Sequence, residues 1–393
     1  MNLERIQQAL RQAGIDGWLF YDFHNRDPIS YRILGLPSDK FTSRRWFYFI
    51  PANGSPVKLV HRVEPTKLDQ LPGEKKYYSA WRQLHQMLRE ILQGVRRVAM
   101  QYSPLAAVPY VATVDAGTVE LIRSFGAEIV SSANLVQTFE ALLDERAFQT
   151  HQQAGFIIQN IKDEAFLQIG NFIREGKKLT EYDLQQWIME RFEQQELTCM
   201  GEFPIVAVNE HAANPHYEPT VKSSAAFRPG DMVLIDLWAK LKKAGAIFYD
   251  ITWCGYVGDK TPEEYNKLFQ LVRRARQTAL KLVEEKMSRR EQLHGYEVDD
   301  VCRAVIEQAG YGEYFVHRTG HSIGEEVHAN GANLDNLETC DDRLLMPGMC
   351  FSIEPGIYLE GRMGVRTEIN VFIQQDYRVT VVGAQQEELV LIR

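Results

Sequence analysis

The sequence predicts an α+β protein of two domains, a smaller α/β domain with a mixed sheet followed by a larger α+β domain. Three observations predict it. Helical and strand-like patterns alternate over residues 1–143, an order that builds a sheet flanked by helices. The pattern from Leu142 to about Gln195 is almost continuously helical, and beyond residue 200 strand-like segments carry single acids among apolar residues. At 393 residues the chain also exceeds what one ordinary core holds. The composition shift sets the domains at 1–143 and 147–393.

The elements follow in order. Leu3, Ile6 and Leu10 recur at helical spacing, so a helix over 3–13 is expected, leading through Gly14 into the strand GWLFYDF. The stretch RRWFYFIPANGSPVKLVHRV reads as two strands about Ala52-Asn53-Gly54, since Asn-Gly supplies positive φ at little cost. The helix WRQLHQMLREILQG, the short buried strand RRVAMQY, the helix VATVDAGTVELIRSFG and the segment AEIVSS complete the first domain. Its histidines His24, His61 and His85 stand alone and carry no site. Two helices then span 142–195, the second capped by Thr180. GEFPIVAVNEH, DMVLIDLWAK after the turn Arg228-Pro229-Gly230, and AGAIFYDITWCGYV read as strands. The helices PEEYNKLFQLVRRARQTALKLVEEK and EVDDVCRAVIEQAG lead into a last block, FVHRTGHSIGEEVH and FSIEPGIYLEGRMGVRTE.

Composition bounds the function. A formal charge of −8 with no basic run argues against nucleic acid as a partner. Five scattered cysteines without a C-x-x-C pair read as free thiols of a reducing cytoplasm. The amphipathic amino-terminal pattern is no signal peptide, and no segment reaches the roughly 18 consecutive apolar residues of a membrane span.

Chemistry concentrates in the second half. Asp236 in VLIDLWAK and Asp250 in IFYDITW sit within apolar strand patterns, where a lone carboxylate is costly and calls for a cation or donors. His321 stands between Gly320 and Gly324; Glu354 and Glu368 lie in two further strand-like contexts. Four carboxylates and one imidazole form a hard, oxygen-rich set suited to Mn2+, Co2+, Fe2+ or Zn2+. Were they to converge, their mutual repulsion would be compensated by two divalent ions.

The segments NEHAANPHYEPT, FRPGDMVLIDLWAK, YDITW, FVHRTGHSIGEEVH, SIEPGIY and GVRTE occur in an order that resembles the metallopeptidase family of methionine aminopeptidase, aminopeptidase P and prolidase. Residues 1–143 resemble the amino-terminal domain of its creatinase, aminopeptidase P and prolidase branch, and 147–393 the "pita-bread" catalytic domain. The resemblance implies that Asp236, Asp250, His321, Glu354 and Glu368 bind two divalent ions, most readily Mn2+, with Asp250 and Glu368 bridging. It also implies that His216 and His328 lie on the substrate side, that His317 is the extra histidine of the proline-specific branch, and that Arg366 supports the last ligand. Singly, each of these histidines reads as structural; His211 reads as a loop residue, and Arg366 alone could pair with a surface acid.

The chain departs from the family pattern at several points. Asp236 and Asp250 are 14 apart (250 − 236), so LKKAGA reads as a lengthened hairpin turn. Trp253 and Cys254 replace an arginine and a threonine, Glu325 an apolar residue, and Ala329 an acid; several of these are expected to line or adjoin the pocket. The activity implied is hydrolysis of Xaa-Pro bonds in short peptides with proline second, as an aminopeptidase or dipeptidase, by a water activated between the metals and with Glu354 shuttling the proton. A cytoplasmic homodimer is expected. The alternatives are a metal-dependent hydrolase or lyase of a small non-peptide metabolite, and a non-catalytic peptide-binding module.

Overall fold

The computed structural model describes residues 1–393, and the chain packs as two units, Met1–Glu140 and Ala141–Arg393. The first unit contains helices α1 (Leu3–Gln12), α2 (Pro28–Leu34), α3 (Trp81–Ile91), α4 (Ala116–Arg123) and α5 (Ala133–Glu140). Its strands are β1 (Gly17–Asp22), β2 (Trp46–Pro51), β3 (Val57–His61), β4 (Glu74–Tyr78), β5 (Arg97–Met100) and β6 (Glu128–Ser131). They form one sheet in the order β4-β3-β2-β1-β5-β6. It is mixed: β1 runs antiparallel to β2 and parallel to β5. The Asn53-Gly54 turn joins β2 and β3 as expected, with Gly54 at φ 100°.

Two features of this unit escape the hydrophobic pattern. Helix α2 is short but fully signposted: Asp27 caps it by accepting from Ser30 N–H, Pro28 opens it, and Gly35 closes it in the left-handed conformation. Strand β4, EKKYY, lies at the sheet edge with only Tyr78 buried, so it lacks an apolar alternation. The expected helix VATVDAGTVELIRSFG is shorter, because Asp115 caps it at Ala116.

The second unit opens with α6 (Glu145–Arg174) and α7 (Glu181–Gln194), capped by Asp144 and Thr180. Strands β7 (Leu197–Thr198), β8 (Ile205–Val208), β9 (Met232–Leu241) and β10 (Tyr249–Val257) follow, then α8 (Glu263–Ser288) and α9 (Gly295–Gln308). The last block supplies β11 (Ser322–Ile323), β12 (Cys350–Ile353), β13 (Gly356–Leu359), β14 (Met363–Arg366), β15 (Ile369–Ile373), β16 (Val379–Val382) and β17 (Val390–Ile392). One sheet orders β17-β10-β9-β7 with β8 also on β9, a second orders β11-β12-β15-β16, and β13 and β14 form a hairpin. Residues of α6, α7, β9 and β10 form one apolar core, those of α8, α9 and the last block another. The candidate metal ligands lie on the β9–β10 pair and on the last block. No helix is long and apolar enough to cross a membrane.

Candidate metal centre and active site

The site is built from the antiparallel pair β9–β10, whose register sets Asp236 opposite Thr252 and Asp250 opposite Trp238. Side chains alternate across a strand, so Asp250 and Thr252 share one face of β10 and Trp253 takes the other. Thr252 makes the link: its hydroxyl lies 2.9 Å from Asp236 Oδ1 and 3.0 Å from Glu368 Oε2. Asn370 fixes Asp250 from behind, accepting from its N–H at 2.9 Å and donating to its carbonyl. Both helpers stand two residues after a candidate ligand, Thr252 after Asp250 and Asn370 after Glu368.

His321 is delivered by a close approach of two backbones. A Cβ at Gly320 would lie 2.0 Å from the Ser352 carbonyl oxygen, so no other residue fits while β11 pairs with β12. Ser352 Oγ then accepts from His321 N–H at 2.9 Å and lies 3.0 Å from Glu354 Oε1. His321 Nδ1 faces the Ser322 carbonyl, which leaves Nε2 3.3 Å from Glu354 Oε1 and 3.6 Å from Asp250 Oδ2. Ligand atoms of Asp250, His321 and Glu368 all lie within 4.8 Å of one another, and all three residues are buried.

Such crowding of acids has an electrostatic signature. Burial, with the charges of Asp236 and Glu354, pushes Asp250 up to about 7 despite its contact with His321. Burial and then the charges of Asp250, Glu354 and Asp236 hold Glu368 far above the usual carboxylate range. Glu354 goes the other way: burial opposes its charge, but His321, His317 and Arg366 outweigh it. Asp250 Oδ1 and Glu368 Oε1 are buried with no hydrogen-bond donor. Donorless buried carboxylate oxygens beside an imidazole are what a hard divalent cation satisfies, so the donor set fits metal binding.

Around this cluster the remaining predicted residues take separate stations. Arg366 donates to Thr252 Oγ1 at 2.9 Å, to Asp236 Oδ2, and to the Tyr358 hydroxyl at 3.0 Å. Tyr358 in turn meets His317 Nε2 at 2.7 Å, while His317 Nδ1 faces the Arg318 carbonyl. Arg366 therefore pairs with a buried site acid rather than a surface one. Burial holds His317 down at about 4, so it is neutral near pH 7. His328 stands edge-on to His321 with ring centroids 4.4 Å apart. The charge of His321 first, then burial, hold it down at about 3. His216 lies on an exposed turn, its backbone N–H donating to Asn214 Oδ1 at 3.0 Å, apart from these contacts.

Two expectations need correction. Trp253 does not adjoin the pocket; on the far face of β10 its ring takes the Lys162 ammonium at 3.5 Å. His211 is more than a loop residue, since Glu181 holds its imidazole at 2.9 Å. Sequence reasoning also passed over Thr252, Asn370, Ser352 and Tyr358. The first two were signalled by the two-residue period of a strand, Tyr358 by nothing local.

Known proteins resemble this chain in sequence and in fold. Residues 157–375 match the profile of metallopeptidase family M24. The chain is 26% identical over 364 residues to the probable dipeptidase PepE of Mycobacterium bovis, spanning 91% of this chain and 88% of that protein. It is 36% identical over 172 residues to an Xaa-Pro dipeptidase of Lactobacillus helveticus, spanning 42% and 40%. Its fold superposes on the crystal structure of dipeptidase PepE from Mycobacterium ulcerans with a TM-score of 0.69 at 23% identity, covering 99% of this chain and 96% of that one.

Proposed function

This chain belongs to metallopeptidase family M24 and is a metallo-exopeptidase with the family's pita-bread fold, and from that premise we propose that it hydrolyses Xaa-Pro bonds in short peptides at a centre of two divalent ions. The observation that carries the proposal is the convergence of Asp236, Asp250, His321, Glu354 and Glu368, with two buried carboxylate oxygens left without donors. In this reading Asp236, Asp250, His321, Glu354 and Glu368 would hold the ions, with Asp250 and Glu368 shared between the two. Bound there, the ions would supply a water acidic enough to ionise near neutrality and polarise the scissile carbonyl. Mn2+ suits the hard donor set, with Co2+, Zn2+ and Fe2+ as substitutes.

The chain's own groups do the rest. Glu354, whose ionised form His321 and Arg366 favour, takes the proton of the attacking water and returns it to the leaving imide nitrogen. His328 and His216 face the substrate and donate to the oxygen on which negative charge develops. Arg366 holds Asp236, while its link through Tyr358 sets the His317 ring as a wall for proline. An Xaa-Pro bond presents a tertiary amide and a fixed ring, which a shaped wall can select. The five cysteines are free thiols, in keeping with a cytoplasmic location, and a homodimer is part of the same reading.

The test is a panel of Xaa-Pro dipeptides, Xaa-Pro-Xaa peptides and Xaa-Ala controls, assayed with Mn2+, Co2+ or Zn2+ and after chelation. Cleavage of proline peptides that is lost on chelation and regained with Mn2+ is the expected result. A metal-loaded protein that leaves every proline peptide intact overturns the proposal.

A further inference from the structure

Glu181, the first residue of α7, is fully buried and takes no part in the chemistry above. Its carboxylate is nonetheless full. Oε1 accepts from Val208 N–H at 2.7 Å and faces His211 Nδ1 at 2.9 Å; Oε2 accepts from the Tyr217 hydroxyl at 2.9 Å and from Ala225 N–H at 2.7 Å. Four donors match the roughly four lone-pair sites of an ionised carboxylate. All four come from one stretch of chain, Val208–Ala225, which is otherwise irregular between β8 and β9. His211 and Tyr217, stacked with ring centroids 4.5 Å apart, stand on either side of His216 in sequence.

The same stretch is pinned from its other side. A Cβ at Gly364 would lie 1.7 Å from the Ala212 carbonyl oxygen, so the 3₁₀ turn Asn209–Ala213 presses directly on β14, two residues before Arg366. The segment that carries His216 is thus gripped between the Glu181 carboxylate and the strand that carries Arg366. A free surface loop needs neither grip.

We propose that Glu181 is a positioning residue of the active site: through His211 and Tyr217 it holds Val208–Ala225 in the conformation that presents His216 to the substrate. The proposal rests on the reading of His216 as a substrate-side group. Glutamine cannot replace the glutamate, because its amide has one acceptor atom, and its NH2 would face two N–H or O–H donors. Phenylalanine at 217 removes one donor and leaves the other three in place.

The experiment is a double-mutant cycle on the best-cleaved peptide: Glu181→Gln and Tyr217→Phe, each made alone and together with His216→Ala. Alone, Tyr217→Phe is expected to lower kcat/KM about fivefold and Glu181→Gln about thirtyfold or more, as for loss of one and of several hydrogen bonds to a charged acceptor. In the His216→Ala background neither should lower it further by more than about twofold, since coupled residues are not additive. Mn2+ affinity measured by calorimetry should be unchanged in both single variants. Losses that multiply with His216→Ala, or that follow a loss of Mn2+ affinity, overturn the proposal. Should Glu181→Gln fold poorly, Tyr217→Phe and His211→Gln carry the cycle. Amide hydrogen exchange separates this inference from the functional reading. Faster exchange across 209–224 in Tyr217→Phe, with 319–328 unchanged, supports the grip even if no peptide is turned over, and unchanged exchange there refutes it even in an active enzyme.

Discussion

Asp22 and Asp27 in the amino-terminal unit are as buried as Asp250 and Glu368 in the carboxy-terminal one, yet the two pairs are treated in opposite ways. Asp22 accepts from the N–H groups of Asn25, Arg26 and Asp27 and from the Tyr31 hydroxyl. Asp27 accepts from the N–H and hydroxyl of Ser30 and from Gln101. Each of their four oxygens has a donor. Asp250 Oδ1 and Glu368 Oε1 have none, and these two acids sit beside two more and an imidazole. A buried acid is therefore no sign of a site by itself; a convergence of acids whose oxygens lack donors is. The first arrangement uses its carboxylates to hold a loop; the second leaves two carboxylate oxygens without donors.

The largest effect that tests this contrast is on turnover. His321→Ala should lower kcat/KM at least about 10³-fold, equivalent to about 4 kcal/mol of transition-state stabilisation, with the metal-free melting temperature little changed. A variant of normal rate would remove His321 from the centre and with it the assignment of its neighbours.

Opposite signs of stability test the contrast itself. Asp22→Asn leaves a carboxamide with one acceptor atom against four donors, and should destabilise by roughly 2–4 kcal/mol. Glu368→Gln replaces an acid whose ionised form burial and three neighbouring acids oppose, so in chelator it should leave the protein as stable or stabilise it by about 1–3 kcal/mol. Urea unfolding of both variants in chelator decides the matter. If both destabilise alike, Glu368 is satisfied in a way its neighbours do not reveal.

A smaller effect appears in pH. Burial raises Asp27 to about 6 from an ordinary 3.8, against the hydrogen bonds from Ser30. Between those values the folded protein holds a proton that the unfolded chain has lost, so its contribution is complete below about pH 4 and is lost as pH rises through about 6. The window amounts to roughly 2–3 kcal/mol, and Asp27→Asn should flatten it. An unfolding free energy whose slope between pH 4 and 6 is the same in wild type and Asp27→Asn would show that Asp27 is ionised in the fold.

How much of this was legible in the chain depended on range. Asp236, Asp250, Glu354 and Glu368 stand out because an acid inside an apolar strand pattern conflicts with its setting, and the conflict can be read from a few neighbours. Thr252 and Asn370 could have been read by the same rule, each two places beyond an acid on the same face. Gly320 required contact with Ser352, and Tyr358 required His317 and Arg366 around it, partners no local window contains. Glu181 misleads outright: an acid in the first turn of a capped helix ordinarily complements the helix dipole at the surface, and only the fold reveals four donors on it. In the amino-terminal unit, α2 had its cap, its proline and its closing glycine in view, whereas edge strand β4 shows no alternation because little of it is buried.

The smallest effect separates two adjacent residues. Thr252 and Trp253 are neighbours on β10, but the pleat gives Thr252 to the acids and Trp253 to α6, where its ring lies 3.5 Å from the Lys162 ammonium. Lys162 is itself buried, paired with Asp163 at 2.8 Å, and burial lowers its hold on its proton. Trp253→Leu removes the ring face that helps keep this cation in a low-dielectric setting, and should cost about 1–2 kcal/mol of stability. Because nothing on that face reaches the acids, kcat/KM should stay within about twofold of wild type, as for a change that touches no transition-state contact. A tenfold fall in kcat/KM with an unshifted melting temperature would return Trp253 to the pocket and show that the two faces of β10 are not independent.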